Sequence, residues 1–444
     1  MKLKPLAAIA AAIACAIVPA TALAAPPTPT PTPTSPPTTA TVWVAPAPTP
    51  VSTLDNSCTH PGYNTIQSAI NAVPAGATIN ICAGTYVEQL QITQAVTLTG
   101  HGAVTVKLPA TPADATTACD AASNAAQSPT DGLDQDGISI CGTGTVTITD
   151  VTLDAAWPVG TCNNNLYGIL VGGGATLYLS NSSVTAAGAV PLNGCQGGVA
   201  IQVGMAWTTP NQVGKAELVD DHVSGYQKNG ITADGSGSEA DIIDTTVTGI
   251  GPTTAIAQNG IQVSNGAYGA IANSTITGNE CNYPSVCGLN GSQAAGVLFY
   301  GAADGSYVSG SKITNNDYGV YSYDADALAP TSPSVVVEED TISSRYEGVI
   351  LDQGFTEIDA TTISGGAIGL DVYQYDGQSY AADGTAFNDT IKGASVAAID
   401  VQSDDAPSGD FPGQLTVEYS TLKGNAAKVL NNSTNYKVVQ LGDN

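Results

Sequence analysis

The chain has 444 residues, with 11 Lys+Arg against 38 Asp+Glu and a formal net charge of −27. So large an acidic excess argues against nucleic acid and anionic membrane surfaces as partners. An anionic polymer such as polygalacturonate would also be repelled unless calcium bridged it. Forty-nine glycines, four phenylalanines and 11% charged residues describe a fold of many tight turns, with a surface largely of Ser, Thr, Asn and Gln.

Residues 1–24 read as a secretory signal peptide. Lys2 and Lys4 precede an apolar run from Leu6 to Val18, and Ala22-Leu-Ala24 offers a small-residue cleavage site. Cys15 lies inside that run, but Ala12 is a poor match to a lipoprotein signal. Residues 25–40 are a Pro/Thr-rich linker, extended and unable to form a core. Thr41-Val-Trp-Val44 is the first strand. Apolar residues at 66, 69, 70 and 73 then predict a short amphipathic helix capping an open core.

From there to about residue 425 one unit recurs. Gly260-Ile-Gln-Val-Ser264 opens with Gly and an alternating strand, a second strand surrounds Ile271, and Thr275-Ile-Thr-Gly278 closes it. The opening pair returns at Gly137-Ile138, Gly168-Ile169, Gly198-Val199, Gly230-Ile231, Gly296-Val297, Gly319-Val320, Gly348-Val349 and Gly369-Leu370. Intervals of about 30 residues signal stacked repeats. Each holds strands and turns without a helix, so each is one coil of a β-solenoid covering the next. The tail, 426–444, is left unassigned.

The Gly-[Ile/Val]-x-[Val/Ile] opening and the [Asp/Asn]-x-Thr-[Ile/Val]-[Ser/Thr]-Gly closing resemble the repeats of the pectate-lyase-like superfamily. Tyr63–Gly76 and Thr78–Glu88 are similar to the N-terminal cap and first coil of such proteins. The resemblance implies an all-β, right-handed parallel β-helix over residues 41–425. It is specific for fold and not for activity, since that fold hosts lyases, hydrolases, esterases, epimerases and inert surface proteins.

Eight of the nine cysteines remain once the signal is removed, which in a secreted chain points to four disulfides. Cys162 and Cys195 fall in turns of adjacent coils, a spacing that a disulfide spans. Cys281–Cys287 would close a local loop, Cys58–Cys82 would tie the cap to the first coil, and Cys119–Cys141 would pin the 109–136 insertion.

Asp220-Asp221-His222 looks catalytic in isolation. Repeat alignment places Asp220 in a turn column with Asp150, Asn181, Asp244, Asn273, Glu339 and Asn388, and His222 in a column of Thr and Ser, so a structural role is the better reading. The outward positions of the opening strands are more informative. Third positions read Ser139, Leu170, Ala200, Thr232, Gln262, Leu298, Tyr321, Ile350, Asp371 and Asp400. Fifth positions include Gln202, Asp234, Tyr300, Tyr323, Asp352 and Tyr373. Tyrosine beside carboxylate suits sugar binding, the ring stacking on a pyranose and the acid accepting hydroxyls. Tyr375, Asp376, Asp404 and Asp405 adjoin this face.

Asp371 and Asp400, one rung apart, would also allow a bound Ca²⁺ or a carboxyl pair for glycoside hydrolysis. Arg345, the single arginine, could serve as a lyase base beside Asp352 and Asp371, with an ion pair to Glu347 or Glu339 as the ordinary alternative. Motifs typical of polygalacturonases, pectin methylesterases and alginate epimerases are missing. The expectation is therefore a secreted protein that binds polysaccharide at a cell wall or matrix. Polysaccharide lyase or hydrolase activity and a purely structural surface role stand as alternatives.

Overall fold

The computed structural model describes residues 40–128, 132–158, 165–282, 287, 294–324, 334–374, 382–403, 414–431 and 437–441. The expected signal peptide and linker, Cys162, and Tyr375, Asp376, Asp404 and Asp405 lie outside them. The strands pair in parallel throughout, joined in one hydrogen-bonded network. Each coil contributes an opening, a middle and a closing strand, as in Asn259–Ser264, Tyr268–Ala272 and Thr275–Thr277. Like strands stack on like, so the molecule has three parallel faces.

Period-two alternation fixes which side chains go inside. On the opening sheet Ile231, Ile261, Val297, Val320, Val349, Leu370 and Ile399 are in register and buried in one continuous core. β-branched residues suit this pleated stack. The glycine before each of these residues has a separate cause. A Cβ on Gly260 would stand 2.6 Å from the Gly296 carbonyl, and one on Gly296 would stand 2.8 Å from the Gly319 carbonyl. The opening corner thus admits no side chain without moving the backbone above it.

The turn column behaves as the repeat alignment predicts. Asp150, Asn181, Asp220, Asp244, Asn273, Glu339 and Asn388 all take φ between 49° and 57°, the left-handed region that Asn and Asp tolerate best. The next residue of each turn points inward and forms a ladder that repetition of Thr and Ser had concealed. The Val151 amide donates to Ser182 Oγ, the Ser182 amide to Asp221 Oδ1, and so on through Thr245, Ser274, Ser311, Asp340, Thr361 and Asp389 to Ser420. Each coil's corner amide is satisfied by the coil above it.

Helix Ile66–Ala72 caps the stack, with Ile66, Ala69 and Ile70 buried. Thr65 accepts the Ser68 amide, and the Glu88 carboxylate takes the Ile66 and Gln67 amides at 2.8 and 2.9 Å. A second helix, Ala118–Ala126, was not expected. It begins with a capping box in which Thr117 and Asp120 satisfy each other's amides. At the other end the stack passes residue 425. Val429–Asn431 joins the opening sheet and Lys437–Leu441 the middle one, so the coils extend into the segment left unassigned.

Disulfides join Cys58 to Cys82, Cys119 to Cys141 and Cys281 to Cys287. Cys195 is also disulfide-bonded. Among the described residues no helix is long and apolar enough to cross a membrane.

Candidate carbohydrate-binding face

The ladder of the opening sheet corrects one register. Gln202, not Ala200, pairs with Leu170 and Thr232, so the coil after Gly198 begins two residues later than its Gly-Val pair implies. The outward column then runs Gln202, Thr232, Gln262, Leu298, Tyr321, Ile350, Asp371, Asp400. The neighbouring column runs Asp234, Ser264, Tyr300, Tyr323, Asp352. Tyr373 follows in the next rung and pairs with Gln402.

The face is less open than alternation alone suggests. Asp352, Asp371 and Asp400 are 1%, 2% and 7% exposed. A short side chain in a stack with rungs about 4.8 Å apart is shielded by the longer ones beside it. The tyrosines stand higher. Tyr300 is 48% exposed, and its ring stacks on Tyr323 at 4.7 Å with planes 16° apart. Tyr323, Tyr321 and Tyr373 are partly buried. Tyr321 meets Tyr318 edge-on at 6.0 Å and donates its hydroxyl to Asp352 Oδ2 at 2.6 Å.

The acids beneath form one group with Glu347, which the sequence suggests only as an ion partner for Arg345. Glu347 is buried and lies one column aside, in register with Tyr318 and Ile368. Burial pushes its carboxyl up to about 8, the Asp400 charge adding to this while a hydrogen bond from Asp371 opposes it. Burial, then the Glu347 and Asp400 charges, raise Asp371 well above the usual carboxylate range. Asp371 Oδ2 accepts Gln402 Nε2 at 2.8 Å while Oδ1 receives no donor. Asp400 is raised by burial, against a lowering hydrogen bond from the Val401 amide. The residue before each opening glycine was the signal for Glu347, since Asn229 and Asn259 hold the same column in earlier coils.

Arg345 is not part of this group. Its guanidinium reaches Asp317 at 3.7 Å and the Cys281 carbonyl at 3.3 Å, and lies 4.9 Å over the Tyr346 ring. The ion pair is thus with Asp317, not Glu347 or Glu339. Among the described residues no group of three or more Asp, Glu, His or Cys side chains is arranged to hold a metal ion. Asp371 and Asp400 therefore stand as two adjacent carboxyls. His222 is exposed and paired with Ser183 and Thr246.

No known family profile matches the chain, and no curated protein sequence does. Solved structures do. A substituted form of the periplasmic alginate epimerase AlgG matches with a TM-score of 0.53 at 12% identity, over 86% of this chain and 84% of that one. The Agl-KA catalytic domain matches with 0.53 at 14%, over 84% and 64%. The catalytic domain of GH87 alpha-1,3-glucanase in complex with nigerose matches with 0.51 at 13%, over 84% and 66%. The fold is the right-handed parallel β-helix. At these identities the likeness is one of fold, and this β-helix carries its own outward residues.

Proposed function

We propose that this β-helix is exported and binds polysaccharide along the outward face of the opening sheet, from Ala295 to Gln402. The observation that carries the reading is the stacked Tyr300–Tyr323 pair, exposed at its outer edge and standing beside a row of hydrogen-bonded acids. Stacking covers the facing sides of the two rings, so the pair offers a pyranose its uncovered apolar surface, chiefly that of Tyr300. Asp352 orients Tyr321 and Asp371 orients Gln402, so the acids set the hydroxyl pattern through the side chains they hold. Polysaccharide-directed names among the structural neighbours, an epimerase and a glucanase, support the substrate class. Disulfides and the absence of a long apolar helix among the described residues are compatible with export.

Each ring contributes about 0.5–1.5 kcal/mol. Tyr300→Ala/Tyr323→Ala should therefore weaken binding roughly 5- to 150-fold, read as lost retardation in affinity gels containing a polysaccharide panel. Unchanged retardation by the double variant would refute the face. A second reading, hydrolysis or lysis of the glycan, is favoured by one observation. Glu347, at about 8, and Asp371 hold a carboxyl proton near neutral pH, as a general acid must. New reducing ends, or ultraviolet absorbance of unsaturated products, would establish it, and both should disappear in Asp371→Asn.

A further inference from the structure

A braced loop follows the opening strand Val199–Val203. It turns back on itself, the Met205 amide donating to the Gln212 carbonyl at 2.8 Å and the Gln212 amide to the Met205 carbonyl at 3.2 Å. Buried Thr208 fills the inside of the turn. Its Oγ1 reaches the Met205 and Pro210 carbonyls, each at 2.9 Å, and accepts the Gln212 amide at 3.0 Å. Met205 is buried in a small cluster with Cys119, Cys141 and Leu170.

The loop is also pinned to the outward face of the opening sheet. The Ala206 amide donates to Asp234 Oδ2 at 2.6 Å, and Asn211 Nδ2 donates to the Ser236 carbonyl at 3.0 Å. Gly235 makes this approach possible, since a Cβ there would stand 2.6 Å from Asn211 Oδ1 and 3.2 Å from Ala206 Cα. Val203 pairs with Ala233, Asp234 with Ser264, and Ser264 with Tyr300. The loop therefore leaves the sheet three rungs before Tyr300, which is about 14 Å at the parallel-strand spacing.

Trp207 is the residue that this bracing leaves outside. It stands between buried Met205 and buried Thr208, each adjacent in the loop or one residue removed, yet it is 39% exposed. The other two tryptophans are engaged. Trp157 is buried and donates Nε1 to the Gln135 carbonyl at 3.0 Å, and Trp43 stacks on the His101 ring at 4.9 Å. Among the described residues Trp207 has neither kind of partner. A large aromatic on a backbone already fixed at both sides loses little freedom when a ligand covers it.

The strip between Trp207 and Tyr300 selects the ligand. Gln262 and Leu298 lie half-buried in the outward column, with Asn265 exposed beside them. Asp234 is buried and occupied: Oδ1 accepts Ser264 Oγ at 2.8 Å and Asn265 Nδ2 at 2.7 Å, and Oδ2 holds the Ala206 amide. Asp304, in the turn after Tyr300, is exposed. Lys228, at the opposite edge of the sheet, gives its Nζ to the Ala257 carbonyl at 3.0 Å. A uronate or sulfate would thus meet two acids and no open cation, and a protonated amino sugar would find a single exposed carboxylate at the rim. Amide, hydroxyl and apolar groups suit uncharged sugar. We infer that Trp207 is a further stacking platform, and that one strand of uncharged polysaccharide runs from it, past Gln262 and Leu298, to the Tyr300–Tyr323 pair. This rests on the binding face proposed above and adds its N-terminal reach and the class of its sugar.

The test is calorimetric titration of the full chain with cellohexaose, laminarihexaose, mannohexaose and xylohexaose, with tryptophan emission read in parallel. At least one should bind and change the emission saturably. Trp207→Ala should weaken that binding about 2- to 13-fold and abolish the emission change, at an unchanged urea midpoint because the side chain is exposed. Trp207→Tyr should restore most of the affinity. Binding that leaves tryptophan emission unchanged overturns the inference. So does full affinity in Trp207→Ala where Tyr300→Ala/Tyr323→Ala binds weakly, a result that leaves the tyrosine face standing. Full affinity in the tyrosine variant, or no binding by any hexasaccharide, overturns both. Tighter binding of galacturonate or glucosamine hexamers than of the neutral ones overturns the uncharged class.

Discussion

Replacing Asp389 with Asn isolates one rung of the internal corner ladder. Asp389 Oδ1 accepts the Thr361 amide at 2.9 Å, its own amide donates to Ser420 Oγ at 3.1 Å, and Oδ2 has no donor. Burial pushes its carboxyl from the ordinary 3.8 up to about 8, against a lowering contribution from the Thr361 amide. Because the folded-state value lies above the unfolded one, the stabilising contribution is complete below about pH 4 and is lost as pH rises towards about 8. Each pH unit across that window is worth about 1.36 kcal/mol. One such group thus removes on the order of 4 kcal/mol between pH 4 and pH 7. Asn keeps the acceptor for Thr361 and cannot ionise. Urea unfolding of both proteins at intervals from pH 4 to pH 8 should give curves that nearly coincide in acid and separate as pH rises, with Asp389→Asn the more stable. A gap that stays constant across the range would mean that the acid is ionised in the fold, and the reasoning would fail. Asp221 and Asp340, held at about 7 in the same column chiefly by burial, should behave alike over a window one unit shorter.

Asn316→Ala should be among the most damaging single changes in the interior. Asn316 Oδ1 takes both the Asn279 amide and Asn279 Nδ2, at 3.0 and 2.8 Å, while Asn279 Oδ1 receives the buried Tyr226 hydroxyl at 2.6 Å. Each donor left without a partner costs about 1–3 kcal/mol, visible as a lowered urea midpoint with an unchanged slope. His222→Thr should leave both stability and gel retardation as they are, because Thr is what its register partner carries. A loss of retardation at an unchanged midpoint would make His222 functional.

The fold was legible because its cause repeats. Alternation named the core residues, and the left-handed turn named the Asn/Asp column, each visible many times in one chain. Gly198-Val199 misled because a Gly-hydrophobic pair arises by chance, and only strand pairing shows that Ile201 is the residue in register. The helix at Ala118–Ala126 occurs once and lies in an insertion, so periodicity carried no trace of it, although Thr117 and Asp120 have capping-box spacing. The site was half legible. Tyr300, Tyr323, Asp371 and Asp400 followed from the outward columns. Glu347 did not, because what distinguishes it is burial beside other acids, and burial on an outward face depends on neighbours that alternation does not name. Arg345 paired with Asp317, one coil away, and not with Glu347 or Glu339, the acids nearest to it in the chain.

The central claim concerns one face of one sheet, and hydroxyl-radical footprinting of tyrosine reads it directly. The protein would be oxidised with and without the polysaccharide that retards it most in gels. Tyr300 should be protected, while Tyr178, exposed on the middle strand Ala175–Ser180, and Tyr419, exposed in the turn after Gln414–Glu418, should react as before. Protection of Tyr178 or Tyr419 with Tyr300 unchanged would place the glycan elsewhere and contradict the account.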